Sequence, residues 1–481
     1  MRAAAPCLLL AALAACTTVG PDYALPKDSA FAQAAGHPPA LDARDSTAVD
    51  AARAADEGPW WRLYDDARLS AFIQQALQAN AELKVAAARL EQAQAVYAQA
   101  RGAGEPSGNV SALVERGRVS AESLLQPEPI PVFNAGVGNV GVSYQLDLFG
   151  KLRRATEAAR ADAEAVQAAG DLARISIAAR VAGAYVEICH GNHELNVARR
   201  MLRLQQRSRD VAEQMRAAGR GTLTAVERAD AQVAVLQAAL PPLRARRQAA
   251  LYELAALLGR TPDQAPTEAL ECEDAPQLAR PIPLGDGAAL LRRRPDVRRA
   301  ERELAAATAG IGVATAMLYP DITLGASIGS NGLLADFGKT MAEQWTVGPM
   351  ISWSIPGSGA RARVEQARAG AKAALAEFDR VVLEALRETQ TLLDRYAEDL
   401  RYVAALRQAR ERAAAAADDA RSMYLAGRAP YLSNLDAQRT RVSAETSLAN
   451  AQAQVSQDQI RLFLALGGGW RQDEPAAEAA R

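Results

Sequence analysis

Glu187, His190, His193 and Glu194 bring imidazoles and carboxylates together at helical spacing, the side-chain types that hold zinc. The zincin arrangement, with two histidines four apart on one helix face, is absent, and the chain has only three histidines, His37 being the third. A solvated helix face explains the cluster more simply, so no metal ligand is expected. Neither a P-loop glycine pattern nor a nucleophile elbow occurs, and no catalytic residue or cofactor is expected. Arg292 to Arg294 form a short basic run that fits a solvated helix start. Of the four cysteines, Cys189 falls in a helical run and Cys272 in a linker; the expectation for this pair is two isolated thiols.

The remaining two cysteines lie in the first residues. "MRAAAPCLLLAALAAC" opens with Arg2 and continues as an apolar run to Ala15, the layout of an export signal. The run is shorter than the roughly 20 residues that a membrane-spanning helix needs. Leu13 to Cys16 fits the lipobox, in which the signal is cut before a cysteine that then carries lipid. Cys7 would leave with the signal. Thr17 follows, where aspartate would favour inner-membrane retention, so an outer-membrane lipoprotein is expected. Acyl chains contribute about 0.8 kcal/mol per buried methylene, and several chains on Cys16 would anchor the N-terminus firmly.

The elements that follow must be mostly helical. Aromatic residues make up 5% of the chain and alanine dominates, which suits close helix packing better than a thick core. Lys and Arg total 55 against 56 for Asp and Glu, so no basic excess points to nucleic acid. The chain also repeats itself. Glu365, Gly427 and Leu466 each lie 208 residues after Glu157, Gly219 and Leu258, within similar local sequences. Upstream, "NAELKVAAARLEQA" at Asn80 pairs with "RPDVRRAERELAAA" at Arg294 at a separation of 214. The surplus in the first copy falls in the proline-rich Ser123 to Asn134, an enlarged loop.

Each copy reads as a helix, two strands and a long helical hairpin. From Arg361 to Ala426 no proline occurs, and a helix of that length would reach roughly 100 Å. Leu393, Tyr396, Leu400 and Val403 follow coiled-coil spacing. "LPPL" at Leu240 predicts a kink in the first return arm. The strands alternate: Val140, Val142, Tyr144, Leu146 and Leu148 in the first copy, and Ile322, Leu324, Ala326 and Ile328 in the second. Trp345, Val347, Pro349, Ile351, Trp353 and Ile355 continue that pattern. Segments of about 9 to 11 residues suffice for a tilted membrane strand. Four strands leave edges whose bare N–H and C=O groups cost several kcal/mol each in lipid, so other subunits must pair them. A small soluble sheet packed on the helices is the alternative reading of the same alternation.

"CTTVGPDY", "WWRLYDD", "YQLDLFGKLRRA", the stretch from Leu290 to Leu324 and "GRAPYLSNLDAQR" occur in that order and span nearly the whole chain. With them the chain resembles the TolC-like outer membrane factors, in the lipidated branch of OprM- and NodT-type efflux lipoproteins. The resemblance implies a mainly α fold with a small transmembrane β part. Three chains would form a 12-stranded β-barrel on a long α-helical periplasmic barrel. It implies a passive exit duct for drugs or other small molecules, not an enzyme. Its partners would be a periplasmic adaptor, an inner-membrane pump of RND, MFS or ABC type, and outer-membrane lipid. The location would be the Gram-negative outer membrane.

The same resemblance places a pore constriction at Tyr424, Asp436 and Arg439. Ser433 and Ala429 stand where some members carry aspartate and arginine. Adaptor contact is expected at the tips: Gly219, Arg220, Gly221 and Thr222 in the first copy, and Gly427, Arg428, Pro430 and Tyr431 in the second. The expected layout is a signal peptide over 1–15, a lipidated extended segment over 16–59, a first repeat over 60–270, a linker over 271–289, a second repeat over 290–469 and a tail over 470–481. Within the repeats, strands are expected near 108–119, 138–149, 321–332 and 345–355. A duct for type I protein secretion and a non-conducting coiled-coil lipoprotein scaffold are the alternative functions.

Overall fold

The computed structural model describes residues 18–36, 41, 49–50, 58–278, 280–284, 287–355 and 357–469. The lipobox Cys16 lies outside the described residues. Two compact units are built from interleaved stretches of chain, the first from Met1–Pro26, Arg89–Gln167 and Arg299–Phe378, the second from Lys27–Ala88, Ala168–Arg298 and Asp379–Arg481. The fold is mainly α, with one small antiparallel sheet.

That sheet belongs to the first unit. Strands β2 (Ser107–Gly117), β3 (Phe133–Leu146), β5 (Asp321–Leu333) and β6 (Glu343–Ser352) pair in that order, each antiparallel to the next. Register sets Val110, Val140, Ile328 and Trp345 abreast on one face. Neighbouring rows on that face add Val142, Ala326 and Val347, then Tyr144, Leu324 and Pro349. The opposite face carries Asn109, Gly141, Ser327 and Thr346 in one row and Ser111, Asn139, Gly329 and Gln344 in the next. A period of two has thus sorted the sheet into an apolar side and a polar side that also carries Glu115 and Asp321. Trp345 and Val347 are 70% and 72% exposed. Beyond β5, Phe337 folds over β3 so closely that a Cβ on Gly138 would come within 2.7 Å of its ring.

A second feature of this unit is the join between sheet and helix. "LDLFGKLRR" ends β3 and starts α4 (Lys151–Ala217, 67 residues). Both carboxylate oxygens of Asp147 cap that start, accepting from the Leu152 and Arg153 amides at 2.9 Å. Gly150 takes a left-handed φ of +77°, and a Cβ there would overlap Thr18 at 2.4 Å. The N-terminal segment is held against the same turn. Val19 donates to the Phe149 carbonyl, and the buried Arg154 guanidinium bonds the Val19 and Gly20 carbonyls and Asp22. Tyr23 then donates to Glu301 at 3.2 Å on α8 (Pro295–Ala316).

The core of the second unit is aromatic at one end and aliphatic along the helices. "WWRLY" forms a 3-10 turn whose Trp60 stacks on Phe463 with ring centroids 4.9 Å apart. Asp66 then caps α2 (Ala67–Ala79) by accepting from the Leu69 amide at 2.9 Å. The short strands β1 (Val49–Asp50) and β4 (Ile282–Pro283) pair in parallel. α4 supplies Ile177, Val181, Tyr185 and Ile188, all buried. Burial and the neighbouring Asp66 push the Tyr185 phenol up to about 12, so it stays protonated.

The return arm of the first copy is broken into α5 (Leu223–Ala238) and α6 (Leu240–Leu257), because Pro241 and Pro242 remove two helix donors. The second copy has no such break: α9 (Ser358–Leu425) runs 68 residues and α10 (Tyr431–Ala465) returns in one piece.

The expectation for the cysteines is corrected here. Cys189 and Cys272 form a disulfide, with Cα atoms 4.9 Å apart and a sequence separation of 83. The linker after α6 folds back onto α4, where Asn192 donates to the carbonyls of Leu270 and Cys272 at 2.8 and 2.7 Å. That return path depends on tertiary packing and leaves no local signature in the sequence.

Candidate gate and docking tips

Both hairpin tips close with the same helix-ending device. Gly219 and Gly427 sit at φ of +71° and +69°, the left-handed C′ position. The next residue's amide reaches back to complete a Schellman motif: Arg220 to the Met215 carbonyl, and Arg428 to the Met423 carbonyl, both at 2.8 Å. In the first tip Gly221 is needed for space, since a Cβ would lie 2.9 Å from the Arg216 nitrogen, and Thr222 caps α5 through the Ala225 amide at 3.2 Å. In the second, Pro430 stands at the cap of α10 and offers no side-chain bond. Gly219 to Thr222, Gly427, Arg428 and Pro430 are all exposed, and Tyr431 is half-buried.

Tyr424 and Tyr431 meet edge-to-face across the second tip, with centroids 5.3 Å apart. Partial burial raises the Tyr431 phenol above its ordinary value, against the pull of Arg207. Arg439 donates to Gln205 of α4. No ion pair links it to Asp436 among the described residues. Asp436 is exposed, and its backbone carbonyl accepts from Thr440 at 3.0 Å. The second tip therefore holds its arginine against the first copy's helix and leaves its carboxylate to solvent. Gln205 escaped the sequence reading because an amide in a polar helix carries no signal of its own.

The histidine cluster is an ion-pair network. Arg246 binds both Glu187 and Glu194, and Glu194 lies 3.6 Å from His190. Burial, with help from Arg246, lowers the His190 imidazole to about 4 and keeps it neutral. His193 pairs with Asp274 on the returning linker at 2.9 Å. Among the described residues no group of three or more His, Cys, Asp or Glu is placed to hold a metal. Further along, Asp458 is fully buried beside Asp399, and burial followed by their shared contact raises it to about 6. No helix among the described residues is long and apolar enough to cross a membrane.

The outer membrane efflux protein family matches residues 72–260 and 288–468. Outer membrane protein OprJ of Pseudomonas aeruginosa is 30% identical over 438 residues, covering 90% of this chain and 91% of that one. Nodulation protein T of Rhizobium leguminosarum bv. viciae is 29% identical over 412 residues, covering 85% and 84%. The solved outer-membrane channel OprN superposes with a TM-score of 0.84 at 34% identity, covering 94% of this chain and all of that one.

The chain belongs to the outer membrane efflux protein family. It is an outer-membrane channel of an efflux system in a Gram-negative bacterium, with a long helical periplasmic part. The family is one of channel proteins, and its members work with an adaptor and an inner-membrane pump.

Proposed function

We propose that three copies of the chain close their sheets into one 12-stranded barrel, and that small molecules leave through it passively. The observation that carries this reading is the sheet itself: an apolar face aligned across all four strands, a mainly polar face behind it, and outer edges on β2 and β6 without strand partners among the described residues. In lipid those edges must be paired. The alternation β2, β3, β5, β6 leaves β6 antiparallel to the β2 of a following chain, so closure needs no change of hand. Two chains would give eight strands and a filled interior, whereas three leave a lumen. Asn109, Ser111, Asn139, Ser327, Thr346 and Gln344 would line it, with Glu115 and Asp321 on the same face.

Cys16 carries lipid in this account, and the clasp of Arg154 on Val19, Gly20 and Asp22 fixes the chain just after it. The exposed tips, Gly219 to Thr222 and Gly427 to Tyr431, receive the periplasmic adaptor, and a pump of RND, MFS or ABC type supplies the energy. Tyr424, Asp436 and Arg439 form the constriction. Three exposed Asp436 carboxylates around a threefold axis would favour cations. Arg439 stays on Gln205 and does not neutralise them.

The test is single-channel conductance of the mature protein in planar bilayers. Asp436→Ala should lower cation selectivity in a salt gradient and raise conductance by about twofold. An unchanged reversal potential would remove Asp436 from the constriction.

A further inference from the structure

Within the second unit, α4, α9 and α10 line a cavity of about 620 Å³ that is broadly open to solvent. Five arginines line it: Arg200, Arg203 and Arg207 from α4, Arg410 from α9 and Arg441 from α10. One carboxylate, Glu445, answers them. It lies 3.1 Å from both Arg200 and Arg441, and Arg441 also reaches Asp418 at 3.3 Å. Arg203, Arg207 and Arg410 have no carboxylate partner among the described residues. Elsewhere on these helices arginines are commonly matched, as Arg401 is with Glu398 at 2.7 Å and Arg387 with Glu384 at 2.6 Å.

The lining and the volume both suit a ligand. Leu204 and Val442 stand among the guanidinium groups. That apolar wall strengthens each charge interaction relative to open water. His193, also at the cavity wall, uses Nδ1 on Asp274. A volume of this size suits a small organic molecule. Planar guanidinium forks bind phosphate and carboxylate oxygens two at a time.

We propose that this cavity is a binding site for a small polyanion, a molecule carrying two or more phosphate or carboxylate groups. One anionic group engages Arg203 and Arg207, four residues apart on α4, and a second engages Arg410 across the cavity. Arg200 and Arg441, already shared with Glu445, orient the site. The site borders the proposed constriction, since Arg207 acts on Tyr431 and Arg441 lies two residues beyond Arg439, but anion binding is read without reference to the conduction of cargo.

The test uses the full-length trimer in detergent, titrated calorimetrically with sodium tripolyphosphate at low ionic strength. Wild type should bind saturably, one equivalent per chain, and more weakly as salt rises. Arg203→Gln with Arg207→Gln should weaken binding by at least about tenfold, since hydrogen bonds to charged groups are stronger than neutral ones. Arg410→Gln, on a different helix, should weaken it by at least about threefold. Arg401→Gln lies outside the cavity and should leave it unchanged. Wild type that shows no saturable binding would overturn the proposal, as would equal weakening by Arg401→Gln and the cavity variants, which marks general attraction to a basic surface. Should the double variant fail to assemble, Arg410→Gln decides alone.

Discussion

The two copies of the repeat agree at their helix ends and differ between them. Gly427 lies 208 residues after Gly219, and Gly467 lies 208 after Gly259; all four take left-handed φ and are followed by Schellman closures. The agreement extends to tertiary contacts made by different chemistry. In the first copy Asn80 donates to the last-turn carbonyl of Leu257 at 2.9 Å, and in the second Arg294 donates to that of Ala465 at 2.8 Å. Asn80 pairs with Arg294 in the repeat and Leu257 with Ala465, so the job is conserved between copies while the residue type is not. Carbonyls at a buried helix end must be satisfied, but any donor of suitable reach will do.

Between the ends the copies diverge. The first carries the paired prolines, the disulfide and the longer loop from Arg118 to Val132; the second carries two unbroken helices and the Tyr424 to Tyr431 contact. A ring built from both hairpins needs their ends aligned and tolerates differences along the shafts. The first hairpin is the stapled one, and the second is the one on which the constriction is proposed.

The staple offers the largest expected effect. Cys272→Ser, at an 83-residue separation, should destabilise the chain by about 4 kcal/mol, read as a lowered denaturation midpoint. A loss no larger than that from a surface serine substitution would mean that Asn192 holds the linker alone.

Matched glycine substitutions come next. Gly259→Val should cost about 3 kcal/mol and Gly467→Val about 2, because both force a β-branched residue to positive φ but only the first drives its Cβ to 2.8 Å from a carbonyl oxygen, that of Ala79. Reversal of that order would break the equivalence of the two ends.

Asn80→Ala and Arg294→Ala test the paired donors, each expected to cost about 2 kcal/mol through one unsatisfied carbonyl and the local bonds lost with it. For Arg294 those bonds are to Asp296 and Glu388. Against burial, they hold its guanidinium above the ordinary value.

The last effect is a pH slope, confined to the second copy. Asp458 keeps its proton up to about pH 6 when folded, while an unfolded carboxyl near 3.8 has already released it. Between those values the folded state holds more protons, so stability should fall as pH rises from about 4 to about 6 and level off above. Asp399 on α9 faces Asp458 across the helix pair, and Arg395 and Arg461 approach it at 3.4 and 3.5 Å. Asp458→Asn should flatten the slope in thermal melts; a slope retained in the variant would assign it to another group.

Legibility followed the range of each interaction. The repeat, the alternating strands and the long hairpins were readable because periodicity and glycine position are local properties. Asp147 capping α4 and Gly150 beneath Thr18 explain why "LDLFGK" has its form, yet the second of these needs the N-terminal segment in place. The disulfide was missed because the linker's return onto α4 is decided by packing. At the proposed constriction, the residues came from family likeness and their partners did not: Gln205 meets Arg439, and Tyr431 meets Tyr424, only when separate helices pack. The arginine cavity had a partial signal, Arg200, Arg203 and Arg207 recurring on one helical face, but Arg410 and Arg441 arrive from elsewhere in the chain.

The central claim is that the open edges of β2 and β6 are joined between chains around a threefold axis. Single cysteines placed along β2 and along β6 of the same chain, from Val110 and from Val347 outward, would be oxidised in native outer membranes and separated under denaturing conditions. The account predicts crosslinked species that climb to three chains and stop. Absence of β2 to β6 crosslinks at every position, or a ladder that ends at two chains, would contradict it.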